Sequence, residues 1–300
     1  MTSMSLGRAG PPVQQDDHPQ WQGYAFVAVF AVPFLVFNVL PVLAGILVAF
    51  TDFSIVGDVS WVGFGNFVEA YRDVWVWLAF KNVLLYGLII VPSVTLLGLC
   101  AALYVHQSYP LSRLAKTAFF APYVVSASVI GLIWVWMLDT QRGLLNHYLA
   151  LLGIKAIPWL TSANWSLASV ALASVWWDMG LAFVLLLAAL QDVAPDLIEA
   201  ARIDGANRWQ RFRYVTLPQI RPTLSMVVTL QLISTLKIFS QVHVMTDGGP
   251  AGSSSSVIHY IYGVAIEQAR FGYASAVGFV LFALILLVTL VQRLLVREVA

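Results

Sequence analysis

Two ionisable side chains stand inside long apolar runs of this sequence. Asp178 lies in the segment near 166–190, and Lys237 lies in the segment near 220–243. Charged groups are costly in hydrocarbon, and they usually face a cavity or each other. Two interpretations stay open on the residues alone: a buried ion pair that fixes two helices, or polar groups that bind the hydroxyls of a ligand.

A third interpretation gives Asp178 and Lys237 the relay of protons or charge in an ion-coupled secondary transporter. Inverted repeats would favour that mechanism, and the sequence shows no evident repeat. Ion-coupled transport is therefore the second candidate function, behind the one that the polar loop discussed below indicates.

Signatures of catalysis and of nucleotide binding are absent from the sequence. A phosphate-binding P-loop needs glycine directly before its lysine, and no lysine of this chain follows a glycine. The histidines show no close metal-ligand spacing, so we assign no metal or catalytic role to His18, His106, His147, His243 or His259. The chain is predicted to be non-catalytic and to hold no cofactor.

The composition indicates that these residues are positioned by membrane-spanning helices. The chain is 60% hydrophobic and 10% charged, whereas a soluble domain carries about 25% charged residues. Its mean hydropathy is +0.81. The net charge of +1 suggests no nucleic-acid partner, and the single cysteine, Cys100, excludes an intrachain disulfide.

Six apolar segments reach the roughly 20 residues that a spanning helix needs. Two of them do so only with Asp178 or Lys237 inside the span. We predict an all-α membrane protein whose transmembrane domain covers residues 21–298, after a polar and disordered tail over residues 1–20. The predicted spans lie near 22–50, 82–106, 114–138, 166–190, 220–243 and 273–293.

The distribution of basic residues predicts the orientation of these spans. With six spans, both termini lie on one side of the membrane. Ten basic residues fall on that side: Arg8, Arg113, Lys116, Arg202, Arg208, Arg211, Arg213, Arg221, Arg293 and Arg297. Five fall on the other: Arg72, Lys81, Arg142, Lys155 and Arg270. The positive-inside rule therefore places both termini in the cytoplasm.

One long polar stretch, the loop over residues 191–219, separates two predicted spans on the inner side. Its pattern predicts two short helices. Pro195 suits the first turn of the first helix. Asp204 suits the N-cap of the second, and Gly205 permits the bend between them. Pro218 is expected to end the segment before the fifth span.

The second predicted helix of this loop is amphipathic. Ala206, Trp209 and Phe212 recur at a spacing of three and form an apolar stripe, with arginines around it. Such a helix either lies on anionic headgroups or forms the docking surface for a cytoplasmic partner. The residues alone leave both possibilities open.

The same loop resembles the EAA motif of the permeases of ATP-binding-cassette (ABC) importers. The matching residues are Glu199, Ala200, Ala201, Asp204, Gly205, Ala206, Phe212, Leu217 and Pro218. The segment Thr246–Pro250 resembles the T-x-G-G-P segment of the carbohydrate branch, as do Ala121-Pro122-Tyr123 and Gly143–Asn146. The similarity spans most of residues 20–295 and is greatest with sugar permeases like that of the maltose transporter.

This resemblance implies a type I importer fold in a prokaryotic inner membrane, with the loop forming coupling helices. It implies a second permease of similar fold, two ATPase subunits that carry ATP and Mg²⁺, and an extracytoplasmic substrate-binding protein. The implied coupling residues are Glu199, Ala200, Ala201, Asp204, Gly205, Ala206, Trp209, Phe212 and Pro218. The small residues among them permit close approach to a partner.

The resemblance also implies sugar contacts from the third, fourth and fifth spans. Three of the corresponding positions are Ala127, Leu181 and Ile238, whose side chains donate no hydrogen bond. Ser126 and Ser128, on either side of Ala127, are expected to compensate. The predicted substrate pathway consists of Tyr123, Ser126, Ser174, Trp177, Asp178, Gln231, Thr235 and Lys237. With these departures, the subunit either contacts the sugar directly or lines the pathway while its partner holds the ligand.

Overall fold

The computed structural model describes residues 20–54, 59–107 and 109–297. The predicted disordered tail lies outside these ranges, except for Gln20, which begins the first helix. Every regular element within them is helical, and two isolated bridges, Thr51 with Trp61 and Ser54 with Arg270, are the β-type pairings there. The all-α expectation is therefore confirmed for the described residues.

The chain divides into two units between Leu47 and Val48. The first contains α1 (Gln20–Phe34), a π-helical turn (Leu35–Val39) and most of α2 (Leu40–Val48). Together they form an apolar helical stretch long enough to span a membrane. Pro33 lies in α1, two residues before the π turn.

The second unit contains the remaining helices and two further π turns. The π turns are Phe212–Thr216 and Gly263–Glu267. The helices are α3 (Gly65–Arg72), α4 (Val74–His106), α5 (Ser112–Val124), α6 (Ala127–Met137), α7 (Leu144–Leu151), α8 (Ser166–Gln191), α9 (Pro195–Ile203), α10 (Arg208–Arg211), α11 (Leu217–Leu236), α12 (Ser240–Thr246), α13 (Val257–Tyr262) and α14 (Phe271–Arg297).

The central helix of this unit is α8, which packs against α4, α5, α11 and α12. Small residues allow the closest of these approaches. A Cβ at Gly98 of α4 would lie 2.9 Å from the Cβ of Ala182 on α8, so glycine is required there. Close packing through small residues stabilises helix pairs in membranes, where lipid tails remove the usual hydrophobic driving force.

By length and composition, four described helices are able to cross a membrane, and the number is six if each of two bent helix pairs counts as one span. The observed bounds differ from the predicted ones in the second span. That helix begins at Val74 rather than near residue 82, because the Asp73 carboxylate accepts the Trp75 amide at 2.8 Å and caps the helix there. Lys81 therefore lies within the helix.

The third predicted span, near 114–138, is divided into α5 and α6, which meet at 105°. Val125 takes an extended conformation at the junction, and Ser126 caps α6 by accepting the Val129 amide at 3.4 Å. A hydrophobicity pattern reports the apolar length but not a break, so the sequence predicted one continuous helix here.

The prediction that Pro218 ends the cytoplasmic segment was wrong. The helix runs without interruption from Arg208 to Leu236 and then bends by 47° into α12. Pro218 therefore lies inside this continuous helix, two residues after the π turn Phe212–Thr216. The carbonyl four residues before Pro218 belongs to that π turn, so the helix continues past a residue that donates no amide hydrogen.

Candidate functional site

A cavity of about 160 Å³ lies where α6 and α8 meet the junction of α11 and α12. Its lining combines two aromatic rings, a carboxylate, an ammonium group and several hydroxyls. The lining residues are Ile90, Ala127, Trp177, Asp178, Ser234, Thr235, Lys237, Ile238, Phe239, Ser240 and Gln241. Four of the eight residues predicted for the substrate pathway are among them: Trp177, Asp178, Thr235 and Lys237.

The aromatic wall of this cavity is fixed by contacts across the α5–α6 junction. The Trp177 indole donates a hydrogen bond to the Val125 carbonyl at 2.9 Å. The same ring lies 5.6 Å from the Tyr123 ring, at 33°. A Cβ at Gly180 would lie 2.6 Å from the Cβ of Tyr123. Glycine at 180 therefore lets α5 approach α8. Tyr123 does not line the cavity itself but packs against Trp177, which does.

The two intramembrane charges share the cavity but do not pair. Asp178 is 7% exposed, whereas Lys237 is exposed and follows the last residue of α11. Within the described residues, the structure shows no ion pair between the Asp178 carboxylate and the Lys237 ammonium. The buried-ion-pair interpretation is therefore not realised in this conformation, and both groups face the cavity.

The remaining predicted pathway residues differ in what they offer a ligand. Ser126 is exposed at the start of α6. Ser174 is buried and donates to the Val170 carbonyl of its own helix at 2.8 Å, so its hydroxyl is already engaged. The Oε1 atom of Gln231 and the Oγ1 atom of Thr235 are buried without a hydrogen-bond partner among the described residues. Of these four, Thr235 reaches the cavity wall.

Sequence reasoning missed three polar residues of the lining: Ser234, Ser240 and Gln241. A signal for them was present. They stand within four residues of Lys237 in an otherwise apolar segment, and a concentration of polar groups around an intramembrane charge is typical of a cavity.

At the end of α8 away from Ser166, the chain forms the pair α9 and α10. A Schellman motif joins them. The Ala206 amide donates to the Ala201 carbonyl at 2.9 Å, and the Gly205 amide donates to the Arg202 carbonyl at 3.1 Å. Gly205 takes φ +81°, which glycine adopts without steric cost. The predicted bend at Gly205 is therefore present.

The prediction that Asp204 caps the second helix was wrong. Asp204 ends α9, and Asn207 caps α10. Asn207 accepts the Gln210 amide at 2.9 Å, and the Gln210 side chain accepts the Asn207 amide at 2.8 Å, which completes a capping box. The Schellman turn occupies the residues between the two helices, so the N-cap of the second helix is residue 207 and not residue 204.

This helix pair leaves several of its small and apolar residues uncovered. No residue of α9 is buried, and Glu199, Ala200 and Asp204 are exposed. Trp209 is 69% exposed and Ile203 is 86% exposed. Of the other predicted coupling residues, Ala201, Ala206 and Phe212 are half-buried and Pro218 is exposed.

Two arginines hold the pair in place. Arg208 donates to the Tyr109 hydroxyl at 2.9 Å and to the Gln107 side chain, beyond the end of α4. Arg211 donates to the Ala206 carbonyl at 2.9 Å. The exposed surface is thus presented by an ordered segment.

Comparison with known proteins places this arrangement in a family. Residues 94–300 match the family described as binding-protein-dependent transport system inner membrane component. This range includes the helix pair and every residue of the cavity lining except Ile90. The chain belongs to this family of ABC importer permeases. It is a multi-pass membrane protein with the type I importer permease fold.

Several relatives cover nearly the whole chain. The sulfoquinovosyl glycerol transport system permease of Agrobacterium fabrum is 30% identical over 86% of this chain and 85% of its own length. The diacetylchitobiose uptake system permease of Streptomyces coelicolor is 35% identical over 90% of this chain and 82% of its own. A chain from the crystal structure of a bacterial ABC transporter that imports the acidic polysaccharide alginate superposes with TM-score 0.82, at 25% identity. That superposition covers 94% of this permease and 96% of the solved chain.

Proposed function

We propose that this permease imports a sugar or sugar derivative and forms, with a second permease of similar fold, an alternating-access pathway across a prokaryotic cell membrane. Two ATPase subunits hydrolyse ATP with Mg²⁺ and drive the cycle, and an extracytoplasmic binding protein delivers the substrate. This permease itself is not catalytic. Both of its termini are cytoplasmic, as the distribution of basic residues favours.

The single observation that carries the proposal is the exposed helix pair α9–α10. It presents Ala200, Trp209 and Ile203 to solvent from an ordered turn. An uncovered apolar surface rimmed by polar groups marks an interaction site. Within a family that depends on partner proteins, this surface suits the ATPase, and small residues allow a partner to approach closely.

The cavity supports a carbohydrate as the cargo. Its few polar groups converge beside the ring of Trp177, a combination that orients a hydroxyl-rich ligand through hydrogen bonds and apolar contact. The relatives named for sulfoquinovosyl glycerol and diacetylchitobiose, and the alginate importer, handle sugar-containing cargo. The cavity holds both Asp178 and Lys237, so its charges admit neutral and anionic sugars.

The bends in the helices suit a pathway that changes shape. The cavity lies beside the 105° junction of α5 and α6 and beside the 47° bend that leads into α12. Hinges are commonly a few residues at the ends of elements, where backbone angles change without disturbing packed helices. Movement of α9–α10 reaches the cavity through the continuous helix Arg208–Leu236.

The decisive experiment is reconstitution of the complete importer into liposomes. A ligand screen of the cognate binding protein first supplies a labelled sugar. We expect uptake that requires both the binding protein and ATP on the side of the ATPase, and that vanadate blocks.

Uptake by the isolated permease in ATP-free vesicles under an ion gradient would instead establish the ion-coupled mechanism. Binding of a non-carbohydrate ligand by the cognate binding protein would overturn the sugar assignment and leave the importer assignment intact.

A further inference from the structure

Three metal-ligand side chains converge where the chain leaves α12 and re-enters the bundle at α13. The Asp247 Oδ1 atom lies 3.1 Å from the His243 Nδ1 atom and 3.1 Å from the His259 Nε2 atom. All three ligand atoms lie within 4.8 Å of one another. The sequence spacing of the histidines did not indicate this cluster, which His243 and His259 form with Asp247.

The turn between the two helices is built to bring His259 back to Asp247. Asp247 and Gly248 take φ values of +48° and +73°. A Cβ at Gly248 would lie 2.7 Å from the His259 Cε1 atom, so only glycine admits this approach. Ser256 accepts the His259 amide at 3.1 Å and donates to the Ile238 carbonyl at 2.5 Å, which anchors the start of α13.

A second contact orients the His259 ring. The Ser255 hydroxyl lies 3.2 Å from the His259 Nδ1 atom. When Nδ1–H donates to this hydroxyl, the lone pair of Nε2 points at the Asp247 carboxylate. Two lone pairs at that distance repel, and a cation between them removes the repulsion. Metal-binding histidines characteristically make such an outer hydrogen bond through their second nitrogen.

The structure assigns a divalent metal site to His243, Asp247 and His259, and the donor set fits Zn²⁺. Two imidazoles and one carboxylate are ligands that Zn²⁺ accepts. Tetrahedral ligands at zinc distances lie about 3.4 Å apart, close to the two separations of 3.1 Å found here. A cavity of about 340 Å³, lined in part by Asp247, His259 and Glu267, leaves room for a water as fourth ligand.

The site is accessible to an ion from solvent. The Asp247 side chain is 75% exposed and the His243 side chain is 40% exposed, while His259 is more buried. The position follows the span that ends in α12, at the end of the bundle opposite α9–α10. On the proposed orientation, the site takes its metal from outside the cell.

A bound ion would act on the wall of the candidate substrate cavity. The Phe239 ring, which lines that cavity, stacks on the His243 ring with centroids 5.3 Å apart and an interplanar angle of 11°. Metal binding would tie α12 to α13 and hold Phe239 in place. This goes beyond the proposed transport function and does not depend on the identity of the cargo.

The site is tested by metal titration of the purified full-length permease in detergent. The protein is first treated with a chelator to remove bound metal. We expect about one Zn²⁺ per chain by calorimetry and by competition with a chromophoric chelator. His259→Ala and the near-isosteric Asp247→Asn should each weaken binding by at least about tenfold. Ser255→Ala, which removes the outer hydrogen bond, should weaken it by about tenfold.

His147→Ala is the matched control, because His147 lies on α7 and outside the cluster. It should bind Zn²⁺ as the wild type does. The visible spectrum of bound Co²⁺ supplies a second readout, and size-exclusion profiles identify variants that fail to fold. Absence of Zn²⁺ binding by the wild type would overturn the site, as would equal binding by wild type and Asp247→Asn. In that case the three side chains form a hydrogen-bonded cluster only.

Discussion

The candidate substrate cavity takes its chemical character from one carboxylate and one ammonium group on its wall. Asp178 and Lys237 stood out because charge inside an apolar run is costly, and the structure brings them to one cavity. Their separation was not predictable, since hydropathy gives depth along a helix but no distance between helices. Ser174 shows the opposite failure: its position matched the family pattern, yet its hydroxyl bonds within its own helix.

The different positions of Asp178, Lys237 and Ser174 lead to a prediction for transport by the complete importer. Asp178→Asn and Lys237→Met should each lower sugar uptake by about tenfold, because each removes a charge-assisted hydrogen bond to the cargo. Ser174→Ala should leave uptake nearly unchanged. Initial uptake rates in proteoliposomes check this. If Ser174→Ala impaired uptake while Lys237→Met did not, the cavity would be misassigned.

A hydrogen-bond network surrounds Asp73, which caps the start of α4. The Asp73 carboxylate accepts hydrogen bonds from the Tyr260 hydroxyl and, at 2.8 Å, from the Tyr273 hydroxyl. Arg270 adds a cation–π contact, with its guanidinium 4.6 Å from the centre of the Tyr273 ring. Partial burial raises the pKa of Asp73, but the hydrogen bonds from Tyr260 and Tyr273 outweigh it and hold the pKa below its usual range.

This shift predicts the pH dependence of stability. A carboxyl with a lowered folded pKa stabilises the fold fully above its unfolded pKa, and that stabilisation is lost as pH falls through the folded value. At neutral pH, the Tyr260→Phe substitution should lower the free energy of unfolding by about 1 kcal/mol. Below about pH 4 its melting temperature should approach that of the wild type.

Thermal unfolding in detergent across this pH range provides the measurement. Tyr148→Phe serves as the control, because the Tyr148 side chain is exposed and its hydroxyl makes no hydrogen bond among the described residues. A constant difference between Tyr260→Phe and wild type at every pH would argue against the ionised carboxylate as the acceptor.

At the scale of elements, the sequence predicted which segments are helical better than where helices bend. Apolar length marked the spans, and the Schellman glycine at 205 marked the turn between α9 and α10. The junction at Val125 and the π turn Phe212–Thr216 escaped prediction. The junction at Val125 is held by a tertiary contact, the bond from Trp177 to the Val125 carbonyl, which no local pattern encodes.

The turn at Gly205 leads to a prediction about coupling between the permease and the ATPase. Its φ is +81°, and a Cβ added at this position would have no neighbouring atom within 4 Å. Within the permease itself, a substitution is therefore opposed by backbone strain alone, about 1–2 kcal/mol for most residues and less for Asn. Gly205→Val should abolish ATPase stimulation by the loaded binding protein, while Gly205→Asn should keep most of it.

Stimulated ATPase activity of the reconstituted importer checks this pair, and membrane insertion should be the same in both variants. Stimulation by Gly205→Val at the wild-type level would show that the α9–α10 turn transmits nothing. Because the position is exposed, loss of the whole fold is not expected from either substitution.

In the whole molecule, one long helix joins two separated sites. The helix Arg208–Leu236 begins with α10 of the exposed pair α9–α10 and ends at the cavity that holds Asp178. The sequence predicted both ends, since the EAA-like loop and the charged spans were visible in it. It did not predict that one uninterrupted helix connects them, because Pro218 was expected to end the helical segment before the fifth span.

Coupling through this helix requires that α9–α10 lies in the cytoplasm against the ATPase. Cysteine cross-linking in the assembled importer measures that contact, in a Cys100→Ser background that removes the one native cysteine. Ala200→Cys places a thiol on exposed α9, and Ala163→Cys places one on an exposed residue before α8, at the other end of the bundle.

We expect a short bifunctional thiol reagent to join Ala200→Cys to the ATPase subunit, and Ala163→Cys to form no such product. A membrane-impermeant reagent added outside intact cells should label Ala163→Cys alone. Labelling of Ala200→Cys from outside, or cross-linking of Ala163→Cys to the ATPase, would contradict the importer assignment.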